Sequence, residues 1–386
     1  MGGVYSLMSF FSVIDRYANF DFNGFTPSVT SGRIAGILSR ERIGEQDCLA
    51  LLSPAAVPFL EQMAQKAADL TRRHFGNVIF IFTPFYISNY CDNVCAYCSF
   101  GRQHAIRRRH LEIDEIKIET GRITAMGIRH ILVLTGESRQ YAPPAYLESA
   151  VAAIRERFSS IAIEVYPLTG DEYGRLIGCG IDGLTIYQET YDRGRYQSLH
   201  NGGPKNNFMF RLDAPERACC AGIRTVTVGA LLGLADPRID AFFAMLHAAW
   251  LQSTFPGVEV SLSFPRLRPL VADFKQDAAV SDRLLVQMIL AARLFLPTAG
   301  ITISTRESAV LRNNLLSLGV TRMSAGVSTA VGGHSSKDQT PQFEIADARS
   351  VGELQRDLES RGFQPVLHDW NTAYCRDAIS PVSVSP

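Results

Sequence analysis

The feature that most constrains this 386-residue chain is a rhythm of short and long segments between residue 78 and about 325. Eight apolar or β-branched runs (78–87, 131–134, 161–166, 183–187, 225–230, 258–263, 301–304 and 321–325) alternate with amphipathic stretches such as 113–126, 144–157, 238–252 and 282–296. Antiparallel neighbours can be joined by a tight turn, whereas parallel ones need a crossover of about a dozen residues or more. Uniform strand–helix alternation therefore predicts a single parallel sheet. Eight units without a reversal predict an α/β protein whose sheet closes as a (β/α)8 barrel. Asp114 and Asp282 stand where early helix caps are expected, and Pro297 ends its helix.

Residues 1–77 precede the barrel as a helical extension. The stretch 59–75 has helical periodicity with Pro58 suited to its first turn, and is expected to pack across the barrel's bottom or flank. The barrel proper is assigned to 78–335, and 336–386 to a short C-terminal extension with a helix at 350–361. A segment at 363–370 follows, and the polar tail beyond Asp377 is expected to be disordered.

A content of 46% hydrophobic and 20% charged residues supplies a large core and excludes both a disordered chain and a small disulfide-stapled scaffold. Lys and Arg number 38 and Asp and Glu 38, so no net positive field favours nucleic acid or anionic lipid. The longest apolar run, 78–87, is too short to span a bilayer. The apolar first eleven residues lack a basic region and a small-residue cleavage site. The expectation is a cytoplasmic, soluble protein without a nucleic-acid or membrane partner.

In such a barrel the reactive side chains come from the C-terminal ends of the strands. Tyr86 and a group of cysteines follow the first run, Gly136, Glu137 and Ser138 the second, and Glu164 and Tyr166 close the third. Gln188 and Glu189 end the fourth, Arg266 and Arg268 follow the sixth, Arg306 and Glu307 the seventh, and Ser324 ends the eighth. So much charge at one rim is uncommon in a purely structural barrel.

Of eight cysteines, Cys48, Cys179, Cys219, Cys220 and Cys375 are scattered and read as small buried hydrophobes. Cys91, Cys95 and Cys98 fall within eight residues as Cys-x3-Cys-x2-Cys. Three soft thiolates from one loop suit an iron–sulfur cluster or zinc. Structural zinc wants a fourth ligand, and only His104 stands nearby. Three ligands would instead leave one iron of a four-iron cluster open to a small molecule. Spacing by itself leaves three readings: a cluster, a zinc-stabilised non-catalytic binding module, or coincidence.

With Tyr97 before the third cysteine, the loop resembles the Cys-x3-Cys-x-aromatic-Cys signature of the radical S-adenosylmethionine (SAM) enzymes, which are barrels with the cluster loop after the first strand. The resemblance implies one [4Fe-4S] cluster on Cys91, Cys95 and Cys98, with SAM chelating the open iron. It also implies cofactor contacts from Tyr97, from Gly136, Glu137 and Ser138 in "LVLTGES", from Glu189 in "YQETY", and from Arg211, which meets the methionine carboxylate. A carboxylate is well matched by an arginine's bidentate fork. The longer strings "ISNYCDNVCAYCSF", "SFPRLRP", "STRES" and "QPVLHDW", in unbroken order from about 48 to 370, resemble one branch: the tyrosine lyases of thiamine thiazole assembly, the 2-iminoacetate synthases.

That branch implies that a 5′-deoxyadenosyl radical takes a hydrogen atom from the amino group of L-tyrosine and that the Cα–Cβ bond then breaks, giving p-cresol and 2-iminoacetate (dehydroglycine), with release of methionine and 5′-deoxyadenosine. It further implies a flavodoxin- or ferredoxin-type electron donor and thiazole synthase as the partner that consumes the product. Related aromatic amino-acid lyases place substrate contacts on Tyr86, on Arg306 of "STRE" and on Ser324 of "SAG". Arg306 is expected to take the tyrosine carboxylate, with Tyr86 and Ser324 orienting the amino end; an ion pair of Arg306 with Glu307 or a neighbouring strand-end acid and core packing of Tyr86 are the alternatives. Arg266 and Arg268 either bind substrate or brace the rim. His200 and Lys205 are read as part of a solvated loop, against a lid or proton source, and the basic run 107–110 as a solvated face. Two relatives compete. A tryptophan lyase of peptide-antibiotic pathways shares the amino-acid clamp. A hydrogenase-maturation tyrosine lyase carries a second cluster on a C-terminal cysteine motif, for which this chain has only Cys375 beyond Cys220.

Overall fold

The structure, a computed structural model, describes residues 9–268, 274, 279–335 and 340–368. Eight strands form the barrel: β1 (Val78–Ser88), β2 (His130–Thr135), β3 (Ser160–Glu164), β4 (Gly183–Tyr187), β5 (Thr225–Gly229), β6 (Glu259–Ser263), β7 (Gly300–Ile303) and β8 (Arg322–Ser324). Each pairs in parallel with the next, and β1 closes the ring by pairing with both β8 and β2. Every predicted run overlaps one of these strands, although β3 ends at Glu164 and leaves Tyr166, expected to end it, beyond the strand. The sequence reading missed β9 (Gln364–Val366), which adds in parallel to the start of β1, Val78 opposite Gln364. Pro365 is tolerated there because β9 has a neighbour on one side only.

Strand alternation divides the side chains into two sets. Ile161 and Ile163 of β3 are buried, whereas Ala162 and Glu164 line the barrel's interior cavities. The interior is also lined by Thr185, Thr227, Ser263 and Thr302, small polar groups where a solid barrel core would carry Val, Ile and Leu. Space thus remains inside the upper barrel.

The helices form on the predicted stretches, but their caps differ. Glu112 and Ser281 are the N-cap residues of helices Ile113–Ala125 and Asp282–Phe295, with Ser281 accepting from the Leu284 N–H. Asp114 and Asp282 sit two and one residues further in, within the first turn, pairing with Lys117 and Arg266. The N-terminal extension lies on the flank. Helix Leu60–Phe75 packs on helix Asp282–Phe295, and Gln287 donates to the carbonyls of Leu51 and Ser53, both at 2.8 Å. Phe10 stacks on His247 at 4.1 Å, and the Tyr191 hydroxyl bonds the same imidazole at 3.0 Å. The extension is thereby tied to the turn after β4. In the C-terminal extension Ser350 caps helix Val351–Ser360; Trp370, Cys375 and the polar tail lie outside the described residues.

Of the scattered cysteines, Cys48 and Cys219 are buried as expected, Cys179 is half-buried, and Cys220 is exposed. Among the described residues no helix is long and apolar enough to cross a membrane.

Candidate active site

The β1–β2 register shifts between Tyr86 and Ser88, and the chain then leaves the sheet as the cysteine loop. The thiols of Cys91, Cys95 and Cys98 are all free. The loop backbone is tied to three neighbours: Asp92 N–H donates to the Glu137 carbonyl at 2.8 Å, Val94 to Gly202 at 2.9 Å and Ala96 to Leu199 at 3.0 Å. Gly136 is required by closeness, because a Cβ there would stand 2.3 Å from the Tyr90 carbonyl oxygen. On the other side the Arg108 guanidinium donates to the carbonyls of Asn89, Phe100, Gly101 and His104 at 2.6–3.2 Å. At about 1.5–3 kcal/mol for each hydrogen bond involving a charged group, this residue dominates the loop's rigidity. With Arg109 paired to Glu115 at 2.8 Å, two residues of the run 107–110 act as a staple, which corrects its reading as a solvated face for Arg108 and Arg109, while Arg107 is exposed.

Burial pushes the Cys95 and Cys98 thiols above their usual value, with the cation of Lys205 only partly offsetting it. Their protons leave when a metal cation replaces them. Among the described residues no three His, Cys, Asp or Glu side chains are already gathered around an ion position. The fit to an iron–sulfur cluster therefore lies in the donor set: three soft, free thiols on one braced loop. It lies also in the surroundings, where the hydroxyls of Thr135 and Ser138, on either side of Gly136, are buried without a hydrogen-bond partner among the described residues.

Beyond β4 lies a charged triad. Glu189 is the one non-glycine residue with positive φ among those described, at 72°, a strain of about 1–3 kcal/mol that its contacts must offset. Its carboxylate accepts from Lys205 Nζ at 2.5 Å and Arg211 Nη2 at 3.3 Å, while Arg211 Nε donates to the Tyr187 carbonyl at 2.7 Å. Burial alone would raise the Glu189 carboxyl, but the two cations hold it down at about 2. Arg211 Nη1 is left without a protein partner among the described residues. The turn is fixed from behind by Asp240, which accepts from Thr190 Oγ1 at 2.9 Å and from the Tyr191 N–H at 2.7 Å.

The solvated-loop reading of His200 and Lys205 is overturned. His200 is fully buried; its Nδ1 faces the Tyr196 carbonyl at 2.7 Å and therefore carries the proton, leaving Nε2 to accept from the Tyr97 hydroxyl at 2.9 Å. Burial lowers its pKa to about 3, so it is a neutral strut and no proton source. Lys205 lies 5.7 Å from the centre of the Tyr97 ring. Polar composition signalled solvent, but His200 is buried and the half-buried Lys205 is turned inward on a carboxylate.

A cavity opens at the C-terminal ends of the strands and brings together Tyr86, Tyr97, Cys98, Glu164, Tyr187, Glu189, Lys205, Arg306 and Ser324. Gly136, Glu137, Ser138, Arg211, Cys91 and Cys95 are not among the residues that line it. Glu137 Oε2 accepts from Asn93 of the cysteine loop at 2.8 Å. Tyr166 stays outside: its hydroxyl donates to the Ala142 carbonyl and Arg139 covers its ring at 5.0 Å. The Glu307 ion pair does not form, because Glu307 is taken by Arg266 and by Arg268, the latter at 2.7 Å, and the strand-end acid Glu164 acts on Arg306 by charge without a salt bridge. Those two arginines brace the rim; Arg266 also donates to the Val280 carbonyl at 2.8 Å and to Asp282 at 2.7 Å. Arg306 makes no salt bridge to a described residue, lies 3.5 Å from the centre of the Phe343 ring, and is held against its charge by burial.

Two cavity residues carried no sequence signal. Gln342 accepts from the Tyr86 hydroxyl at 2.7 Å, and Phe343 lies under Arg306. Their segment is anchored by Gln342 N–H to the Thr329 carbonyl at 3.0 Å and by Ser99 Oγ to the Gln342 carbonyl at 2.8 Å. Behind it Arg312 pairs with Asp347, both buried, and also donates to the Ser324 carbonyl.

The chain matches a family model described as the radical SAM superfamily over residues 85–245, and one described as the biotin and thiamin synthesis associated domain over 263–364. It is 37% identical over 363 residues to the 2-iminoacetate synthase of Escherichia coli (strain K12), covering 93% of this chain and 96% of that protein. The chain belongs to the 2-iminoacetate synthase family. The Salmonella typhimurium member is likewise 37% identical, over 89% of this chain and 92% of that protein. Among solved structures, the FeFe-hydrogenase maturase HydG from Carboxydothermus hydrogenoformans superposes with a TM-score of 0.86 and 32% identity, over 94% of this chain and 85% of that one. Membership makes this a radical SAM enzyme on a (β/α)8 barrel, as the cysteine loop and the strand count predicted.

Proposed function

We propose that this chain is a radical SAM carbon–carbon lyase that cleaves L-tyrosine between Cα and Cβ to give 2-iminoacetate and p-cresol, for thiazole formation in thiamine biosynthesis. The observation that carries the reading is a half-buried Arg306, without a salt bridge to any described residue, in a cavity shared with Cys98 of the cysteine loop. Cys91, Cys95 and Cys98 would hold a [4Fe-4S] cluster, and Arg211, with the Nη1 that Glu189 leaves free, would meet the methionine carboxylate of SAM. When bound, reduced cluster and SAM together supply a 5′-deoxyadenosyl radical.

The chain's own residues do the rest. Arg306 receives the amino-acid carboxylate, and the hydroxyls of Tyr86 and Ser324 orient the amino end. Tyr86 already spends its proton on Gln342 and Ser324 Oγ already accepts from the Thr305 N–H at 3.2 Å, so each offers an oxygen in a fixed direction. Phe343 and Gln342 cover the head-group side against water, which a reactive intermediate requires. A flavodoxin- or ferredoxin-type protein as electron donor and thiazole synthase as acceptor of the unstable imine complete the proposal.

Anaerobic reconstitution with iron and sulfide, followed by SAM, reductant and tyrosine, tests it. Release of p-cresol together with 5′-deoxyadenosine is expected. Indole-derived products from tryptophan, with tyrosine inert, would replace the substrate, and tightly held zinc without iron would overturn the enzyme reading.

A further inference from the structure

We infer that Glu164 is the anionic partner of the substrate's amino group, and that it takes one proton from the bound ammonium. The inference rests on the lyase reading above and assigns a residue to a step that reading leaves open. Hydrogen-atom removal from nitrogen needs a neutral amine, whereas a free amino acid arrives as its zwitterion. One N–H bond of the ammonium must break and one O–H bond must form, with the lone pair staying on nitrogen. Glu164 supplies the oxygen, and no co-reactant is needed.

Placement is the first argument. Glu164 is the last residue of β3, opposite Leu134 of β2, on the inward set of its strand, and it lines the same cavity as Arg306, Tyr86 and Ser324. The second argument is satisfaction. Every other rim glutamate is engaged: Glu137 by Asn93, Glu189 by Lys205 and Arg211, Glu307 by Arg266 and Arg268. Glu164 makes no hydrogen bond or salt bridge to a described residue. One cavity thus holds a cation and a carboxyl that act on each other but make no salt bridge to a described residue, the complement of a zwitterion. An ammonium also has three N–H donors; the oxygens of Tyr86 and Ser324 take two, and Glu164 takes the third.

The environment agrees. Tyr86 from β1, Tyr187 from β4, Arg306 beyond β7 and the Glu189–Arg211–Lys205 triad act on Glu164. Burial, then the charge of Glu189, raise its carboxyl to about 7 against the pull of the three cations. Such a group is poised to exchange a proton near neutrality. In a desolvated site the neutral amine and carboxylic acid are favoured over the ion pair.

The test is calorimetric, on reconstituted protein with SAM and no reductant, so that binding occurs without turnover. L-tyrosine is compared with 3-(4-hydroxyphenyl)propanoate, which lacks the amino group, at pH 7 in buffers of different ionisation heat. Wild type is expected to prefer tyrosine by roughly tenfold or more and to release about half a proton on binding it, because the half-protonated carboxyl and the ammonium together keep only one. Glu164→Gln is expected to weaken tyrosine roughly tenfold, abolish the release and leave the amino-free acid unchanged. A variant that binds tyrosine as wild type does, with the same proton release, overturns the inference. Should Glu164→Gln not fold, wild type decides alone: no proton release, or equal affinity for the two ligands, overturns it. Wild type that binds neither ligand sinks the lyase reading itself, a separate result.

Discussion

Replacing Arg306 by methionine separates binding from folding more sharply than any other single change at this site. Methionine keeps most of the length and the apolar contact with Phe343 but removes the guanidinium. Since Arg306 makes no salt bridge to a described residue and burial opposes its charge, its loss strands no buried partner. Stability is therefore expected to hold within about 1 kcal/mol of wild type. Binding is another matter. A bidentate arginine–carboxylate pair is made of two charge-assisted hydrogen bonds, and its removal leaves the ligand carboxylate desolvated, at a cost of about 3–4 kcal/mol, or two to three orders of magnitude in affinity. Arg266→Met is the control. That arginine holds the buried Glu307, and breaking such a pair costs about 3–5 kcal/mol of folding stability. Urea denaturation and tyrosine calorimetry on both variants read the two quantities. If Arg306→Met bound tyrosine within threefold of wild type, or unfolded as readily as Arg266→Met, the assignment of this cation to substrate would be wrong.

Three further outcomes are expected. Gly136→Ala drives a methyl into the Tyr90 carbonyl and shifts the cysteine loop, so iron retained after reconstitution should fall several-fold while the circular dichroism of the barrel is unchanged; full iron content would refute the interlock. Asp347→Asn leaves the buried Arg312 cation short of its anion and should cost about 3–5 kcal/mol by urea denaturation, with Arg312→Met/Asp347→Leu recovering only part of it because Arg349 also pairs with Asp347, at 2.6 Å. Burial raises Asp240 to about 7 in the folded chain. Its contribution is thus complete below the unfolded value near 4 and is lost as pH rises through 7. Asp240→Asn should therefore gain on wild type by on the order of 2 kcal/mol between pH 5 and pH 8, and parallel stability curves would contradict the assignment.

The barrel was legible because its eight strands are long enough and apolar enough to stand out against helices of a different period. β9 was not, since three residues including Pro365 carry no alternation. The rim was legible from the rule that strand ends bear the chemistry, which brought Tyr86, Glu164, Arg306 and Ser324 into one cavity. Sequence reasoning failed where burial and composition disagree. His200 and Lys205 sit in a polar string and read as solvated, yet hydrogen bonding and a carboxylate keep them inside. Gln342 and Phe343 belong to an aperiodic stretch placed by distant contacts to Tyr86, Ser99 and Thr329, and no local pattern announces those. Arg108 was misassigned for a related reason: a run of cations looks like surface until carbonyls are found to converge on one of them.

The origin of Gln342 and Phe343 in the C-terminal extension has a consequence for how the protein is made. Ribosomes deliver residues in order, so the thiol loop and all eight staves exist before the piece that roofs the chamber has left the exit tunnel. Until the segment that carries Gln342 and Phe343 docks, Arg306 and Tyr86 lack this cover. A chain halted shortly after β8 would own every ligand and yet hold its chamber open to the solvent.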